Sequence, residues 1–300
     1  MRYDRESLKK LLREACELQA TDVHLKVPGR PSFRVGRELV PTTHDRLYPQ
    51  DIYRAAHSLM ELAQTDLHLA AVKEAEFGLG LEGVGRFRVQ LYRQRGSFAI
   101  VIHRIEVEVP TAGSLGVPDG YAEPQGDIGL FLVSGTRRRE LLAAVVDIRN
   151  RAEGGHLVVI EDQIQYLHTD AKSAISQREV GIDTASFGEA LRTASRQDPD
   201  WIVLGDVPDR ATAETVLRAA EEGHSLVVAS MPSFSADRAV EWFIGCFGAD
   251  RESEVRYRVA EVLAGSVCLG DAPTRLYVDA AVRQCIRLGS PLPCAAAVDG

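Results

Sequence analysis

Long apolar runs are missing from this 300-residue chain. None approaches the roughly 18 residues that a membrane-spanning helix needs, so direct membrane insertion is not expected. The opening MRYDRESLKK has neither an apolar core nor a small-residue cleavage site, which argues against a secretory signal there and for a cytoplasmic protein. Cysteine is sparse: Cys16, Cys246, Cys268, Cys285 and Cys294 form no CxxC pair. Structural zinc is therefore not expected, no metal is assigned, and the thiols read as reduced and mostly buried. Positive charge is also short. With 35 Lys and Arg against 43 Asp and Glu, the net charge is −8, and aromatics make up only 6%. Such a chain lacks the positive surface and interleaved aromatics that nucleic acid demands, so nucleic acid is not an expected partner.

Hydrophobic residues supply 45% of the chain and charged ones 26%, enough for ordinary cores. The length is roughly twice that of a usual single domain, so two domains are expected. Residues 5–19 carry Leu8, Leu11, Leu12, Ala15 and Leu18 at helical spacing. Short strands are predicted over Val23–Val27 and Phe33–Val35, then a second helix over Pro49–Leu62. From Glu76 the period changes to two. Phe77, Leu79 and Leu81 alternate with small or polar residues, and Phe87, Val89 and Leu91 alternate with Arg86, Arg88 and Gln90. A third strand, Phe98–Ile105, completes an antiparallel meander in a small α+β domain.

Proline and glycine crowd residues 107–127, which reads as a linker. The expected layout is a first domain over 1–112, a linker over 113–127 and a second domain over 128–300. There the pattern becomes four continuous apolar runs, Leu130–Val133, Leu157–Ile160, Trp201–Leu204 and Leu226–Ala229. Helical patterns separate them, near Glu140–Asn150, Phe187–Arg196 and Ala211–Glu222, the last ended by Gly223. Strands apolar on both faces and alternating with helices predict an α/β fold with a mainly parallel sheet.

Five ordered blocks carry a resemblance. ATDVHL (Ala20–Leu25), GRFRVQLYRQRGSFAIVIHRI (Gly85–Ile105), HLVVIEDQIQYLH (His156–His168), Gln177–Asp209 and EEGHSLVVASMPS (Glu221–Ser233) resemble successive motifs of the type IV pilus retraction ATPases. These form the PilT-like branch of the type II/IV secretion (GspE) ATPase superfamily. The resemblance runs from about residue 5 to about residue 265; the remaining tail is shorter and poorer than is usual in the family. It implies an N-terminal PAS-like domain followed by a RecA-like P-loop NTPase domain. It also implies a hexamer, homomeric or mixed with an active pilus ATPase, seated on an inner-membrane platform protein at the pilus base.

The chemistry departs from that family. A triphosphate site needs a strand entering a glycine-rich loop whose amides wrap the phosphates at a helix N-terminus. After Leu130–Val133 the chain offers SGTRRRELLAAV. Gly135 may be matched to the first glycine and Thr136 to a cation-reaching hydroxyl, but the loop is about three residues short and lacks the second glycine and the lysine. Arg137, Arg138 and Arg139 bring charge without the freedom of glycine or the compact point charge of lysine.

Glu161 and Asp162 stand in the acidic box, and Gly205–Asp206 replaces the family's Gly-Glu, which shortens the base by one methylene. Glu161 and Asp206 are thus the catalytic remnants; the alternative is that they only cap the next helix or sit in solvent. His224 keeps the first histidine of its box, while Met231 or Pro232 falls at the second. Arg86, Arg88, Arg93, Arg95 and Arg104 match the family's arginines that reach nucleotide across a subunit boundary; a solvated sheet face is the alternative.

The expectation is a pseudo-ATPase acting as a regulatory or assembly subunit, with no bound cofactor. An active retraction motor with an unusual phosphate loop that uses Arg137, Arg138 and Arg139, and with ATP and Mg2+ as its cofactors, is the second reading, and a nucleic-acid-binding module the third.

Overall fold

The computed structural model describes residues 3–65, 67–106, 108–118, 120–293 and 295–296. Cys294, one of the thiols read from the sequence, lies outside the described residues. The chain divides into two compact units, Met1–Glu106 and Val107–Gly300.

The first unit opens with α1 (Arg5–Glu17). Asp4 caps it by accepting the Ser7 amide at 3.0 Å. Leu8, Leu11, Leu12 and Ala15 are buried on one face, as their spacing predicts, while Leu18 lies past the helix end and is exposed. The strands β1 (Asp22–Leu25), β2 (Ser32–Val35) and β3 (Glu38–Pro41) follow. Next come α2 (Pro49–Leu62) and the meander β4 (Glu74–Leu81), β5 (Gly85–Gln94) and β6 (Ser97–Ile105).

One antiparallel sheet results, in the order β3-β2-β1-β6-β5-β4. Val23, Leu25, Phe87, Val89, Ile100 and Ile102 point to the face covered by the two helices. Each such buried side chain contributes roughly 1.5–3 kcal/mol. The β5–β6 turn is Arg95–Gly96, with φ of 50° and 81°, the left-handed pair that a two-residue hairpin requires. β3 was not foreseen. All four of its residues are exposed, so it carries no burial pattern to read.

The second unit holds β7 (Gly129–Gly135), α3 (Arg138–Ala152), β8 (Gly155–Glu161) and β9 (Ser173–Glu179). It continues through α4 (Phe187–Ala194), β10 (Trp201–Leu204), α5 (Arg210–Glu222) and β11 (Leu226–Met231). Beyond lie α6 (Ala236–Gly245), α7 (Glu252–Val262), β12 (Leu263–Leu269), β13 (Pro273–Leu276), α8 (Ala280–Leu288) and β14 (Ala295–Ala296).

The mixed sheet runs β14-β13-β12-β7-β11-β10-β8-β9. It is parallel from β9 to β12 and antiparallel from β12 to β14. Alternate residues of each central strand feed opposite cores. Leu130, Val158, Ile202 and Val227 pack with α4 to α8, while Phe131, Val159, Val203 and Val228 pack with α3. Two-sided burial is why these strands read as unbroken apolar runs.

The proline- and glycine-rich stretch belongs to this second unit. Leu115, Val117 and Ala122 are buried in its α3-side core. Arg275 of β13, itself fully buried, donates to the carbonyls of Tyr121 at 2.9 Å and Glu123 at 2.7 Å. Its guanidinium lies 4.7 Å from the Phe131 ring centroid, and burial lowers its pKa to about 10. Of the four described cysteines only Cys268 is buried, so the expectation of mostly buried thiols is corrected; Cys16, Cys246 and Cys285 are half-buried at helix surfaces.

No helix among the described residues is long and apolar enough to cross a membrane. Among them, too, no cluster of three or more His, Cys, Asp or Glu is placed to hold a metal ion.

Candidate functional site

Parallel strands end together, and their carboxyl ends are where an α/β sheet places a ligand. Here that edge gathers the ends of β7, β8, β10 and β11, with Gly135, Glu161, Asp206 and Met231.

Between β7 and α3 stand only Thr136 and Arg137. Both are exposed, and the helix begins on an Arg137 N-cap with no side-chain cap. Two residues cannot curl a series of amides around phosphates. Gly135 is not a loop residue at all. It is the last residue of β7, paired with Leu269 of β12, at φ 118°. A Cβ there would lie 2.1 Å from the Leu269 carbonyl oxygen. This glycine serves close strand approach, which corrects its assignment to the start of a phosphate loop.

The three arginines turn onto acids of the same edge. Arg139 contacts the Asp162 carboxylate at 2.6 Å, Arg138 approaches Asp206 at 3.8 Å, and Arg137 pairs with Glu140 at 3.1 Å. Asp206 also accepts the Val207 amide at 3.0 Å, and Asp209 caps α5 through Thr212 at 2.7 Å. The cations and carboxylates that a nucleotide and its metal would each require are thus committed to one another.

Glu161 sits among them in a different state. Burial raises its carboxyl to about 8; Arg139 opposes the shift, and Asp162 and Glu179 reinforce it. Gly205 makes the close packing possible, since a Cβ at that position would lie 3.2 Å from the Glu161 Cγ. Near neutrality Glu161 is predominantly protonated, a poor state for accepting a proton from water.

His224 is elsewhere. It is exposed just before β11, whose first residue Leu226 pairs with Gly129 at the start of β7. The six residues of β11 separate it from the acidic edge by ~20 Å.

The first unit is described by itself. Arg86 and Arg88 share a face of β5, but Arg88 is buried and bonded to Glu76 at 3.0 Å, and Arg104 pairs with Glu106 at 2.6 Å. Arg93 lies over the Phe98 ring at 4.4 Å. Arg86 and Arg95 are exposed at opposite ends of the strand, ~30 Å apart. The structure therefore does not bring all these arginines to one place.

With the geometry in hand, comparison with known proteins is decisive. A family model described as "Type II/IV secretion system protein" matches residues 125–244. The type IV pilus retraction ATPase PilT of Pseudomonas aeruginosa is 30% identical over 260 residues, 85% of this chain and 75% of that protein. The chain belongs to the PilT-like branch of the type II/IV secretion ATPase family. The type IV pilus ATPase PilU of the same organism is 34% identical over 251 residues, 82% of this PilT-like chain. The chain spans 65% of the length of PilU.

A crystal structure of the pilus retraction motor PilT with bound ADP superposes with a TM-score of 0.84 at 33% identity, covering 94% of this chain and 86% of that one. The Legionella pneumophila ATPase DotB, 19% identical with a TM-score of 0.76, shares the fold. In this PilT-like chain the sequence displays the arginines and the acids but not their pairing. The pairing of Arg138 with Asp206 and of Arg139 with Asp162 joins residues 68 and 23 positions apart, with no local signal.

Proposed function

We propose that this PilT-like chain is a non-hydrolysing paralogue of the pilus motors, acting as a regulatory or assembly subunit of a type IV pilus machine in twitching motility. In this reading the first unit is a PAS-like domain and the second, which includes the Pro- and Gly-rich stretch, is a RecA-like domain. The chain joins a hexamer with an active pilus ATPase, at the cytoplasmic face of the inner membrane. The observation that supports it is the direct passage of β7 into α3, with the flanking arginines paired to Asp162 and Asp206.

Removing one well-placed electrostatic donor costs about 10²–10³ in rate, and here the loop, the lysine and the base are altered together. Steady-state ATP turnover with Mg2+, measured for the chain alone and mixed with an active pilus ATPase, tests the proposal. The chain alone is expected to stay at background while co-purifying with the active enzyme. Turnover by the chain alone at about 1 s⁻¹ or above, abolished by Glu161→Gln, would restore the motor reading.

A further inference from the structure

Charge is divided unevenly along the chain. Residues 1–106 carry 17 Lys and Arg against 14 Asp and Glu, whereas residues 107–300 carry 18 against 29. The first unit's cations gather where β1 ends and the chain turns toward β2. A cleft of about 450 Å³ opens there, and His24, Lys26, Arg30 and Arg46 line it without a single carboxylate. Tyr92 and Leu39 supply an aromatic and an aliphatic wall; the Leu39 side chain is 48% exposed.

The basic groups are partly pre-set. The Arg30 guanidinium donates to the carbonyls of Thr43 and His44 at 3.1 Å each, which fixes its head at the rim. The His24 imidazole keeps Nε2 without a hydrogen-bond partner. Burial lowers the His24 pKa, Asp22 opposes that shift, and Arg34 and Lys26 add to it.

The volume falls in the range of small-molecule sites. Guanidinium forks match phosphate oxygens in pairs, and an ammonium adds a point charge.

We propose that this cleft binds a phosphate-bearing ligand, its phosphate held by Arg30, Arg46 and Lys26 and its apolar portion laid against Tyr92 and Leu39. Nothing in this depends on the state of the strand-end edge in the second unit. Two sources present the same chemistry, a soluble polyphosphate or the headgroup of an anionic lipid.

The test uses the full chain with two probes: inorganic pyrophosphate by titration calorimetry, and phosphatidylglycerol vesicles by co-sedimentation. Arg46→Glu and Lys26→Glu are exposed substitutions, and Arg13→Glu on α1 is the charge-matched control outside the cleft. At least one probe is expected to bind. Each cleft variant should weaken it by about tenfold or more, and the control should leave it within about twofold.

Pyrophosphate binding that shifts the His24 imidazole resonance assigns a soluble ligand; vesicle binding alone assigns a lipid headgroup. The proposal is overturned if neither probe binds, if Arg13→Glu weakens binding as much as the cleft variants do, or if the cleft variants bind like the parent.

Discussion

Glu161 shows how one residue's surroundings decide its chemistry. Its carboxyl titrates near 8 in the folded chain against an ordinary value of 4.5, because burial outweighs the nearby Arg139. The folded state therefore keeps a proton that the unfolded state gives up. The stability this residue confers is greatest below about 4.5, declines as pH rises toward 8, and is flat beyond. Glu161→Gln removes that decline. At about pH 9 the variant should be more stable than the parent by about 1–2 kcal/mol, below the full linkage value because the surroundings of a buried carboxylate relax once it ionises. The difference should vanish near about pH 4. Urea denaturation at the two pH values measures it, and a variant less stable at the higher pH would contradict the account of this carboxyl.

At the scale of elements, the junction of β7 and α3 carries the argument. A strand that runs straight to Gly135 and a helix that starts at Arg138 leave only Thr136 and Arg137 between them. Gly135 is held there by packing. Its φ of 118° lies in a region open to glycine, and a Cβ would strike the Leu269 carbonyl. Gly135→Ala should therefore destabilise the second unit by about 2–4 kcal/mol, read as a lower denaturation midpoint. A neutral result would mean that the β7–β12 approach is looser than described.

The same element separates what the sequence displayed from what it concealed. Leu130–Val133, Leu157–Ile160, Trp201–Leu204 and Leu226–Ala229 were readable as buried parallel strands because both of their faces are covered. Strands β9, β12 and β13 were not. β9, with the sequence SAISQRE, is an edge strand of mixed burial; β12, with the sequence LAGSVCL, hides behind small residues; β13 is only four residues long. The short loop was legible by counting. The arginine–carboxylate pairs were not, because they join residues that only the closed sheet brings together.

The whole molecule is a member of a motor family whose strand-end edge is closed by its own side chains. The Pro- and Gly-rich stretch looked like a tether by composition, yet the few apolar residues within it, Leu115, Val117 and Ala122, are buried in the second unit, and Arg275 fastens the carbonyls of Tyr121 and Glu123. Composition registers turns well but does not reveal what a sparse set of apolar side chains will find to cover them.

At this scale the decisive measurement is equilibrium binding of a fluorescent ATP analogue with Mg2+ to the purified full chain, read against Arg138→Ala and Gly135→Ala. The account predicts no saturable binding up to about 1 mM that depends on Arg138, since a two-residue turn offers no cradle of amides. Micromolar, magnesium-dependent binding lost on substitution of Arg138 would contradict it.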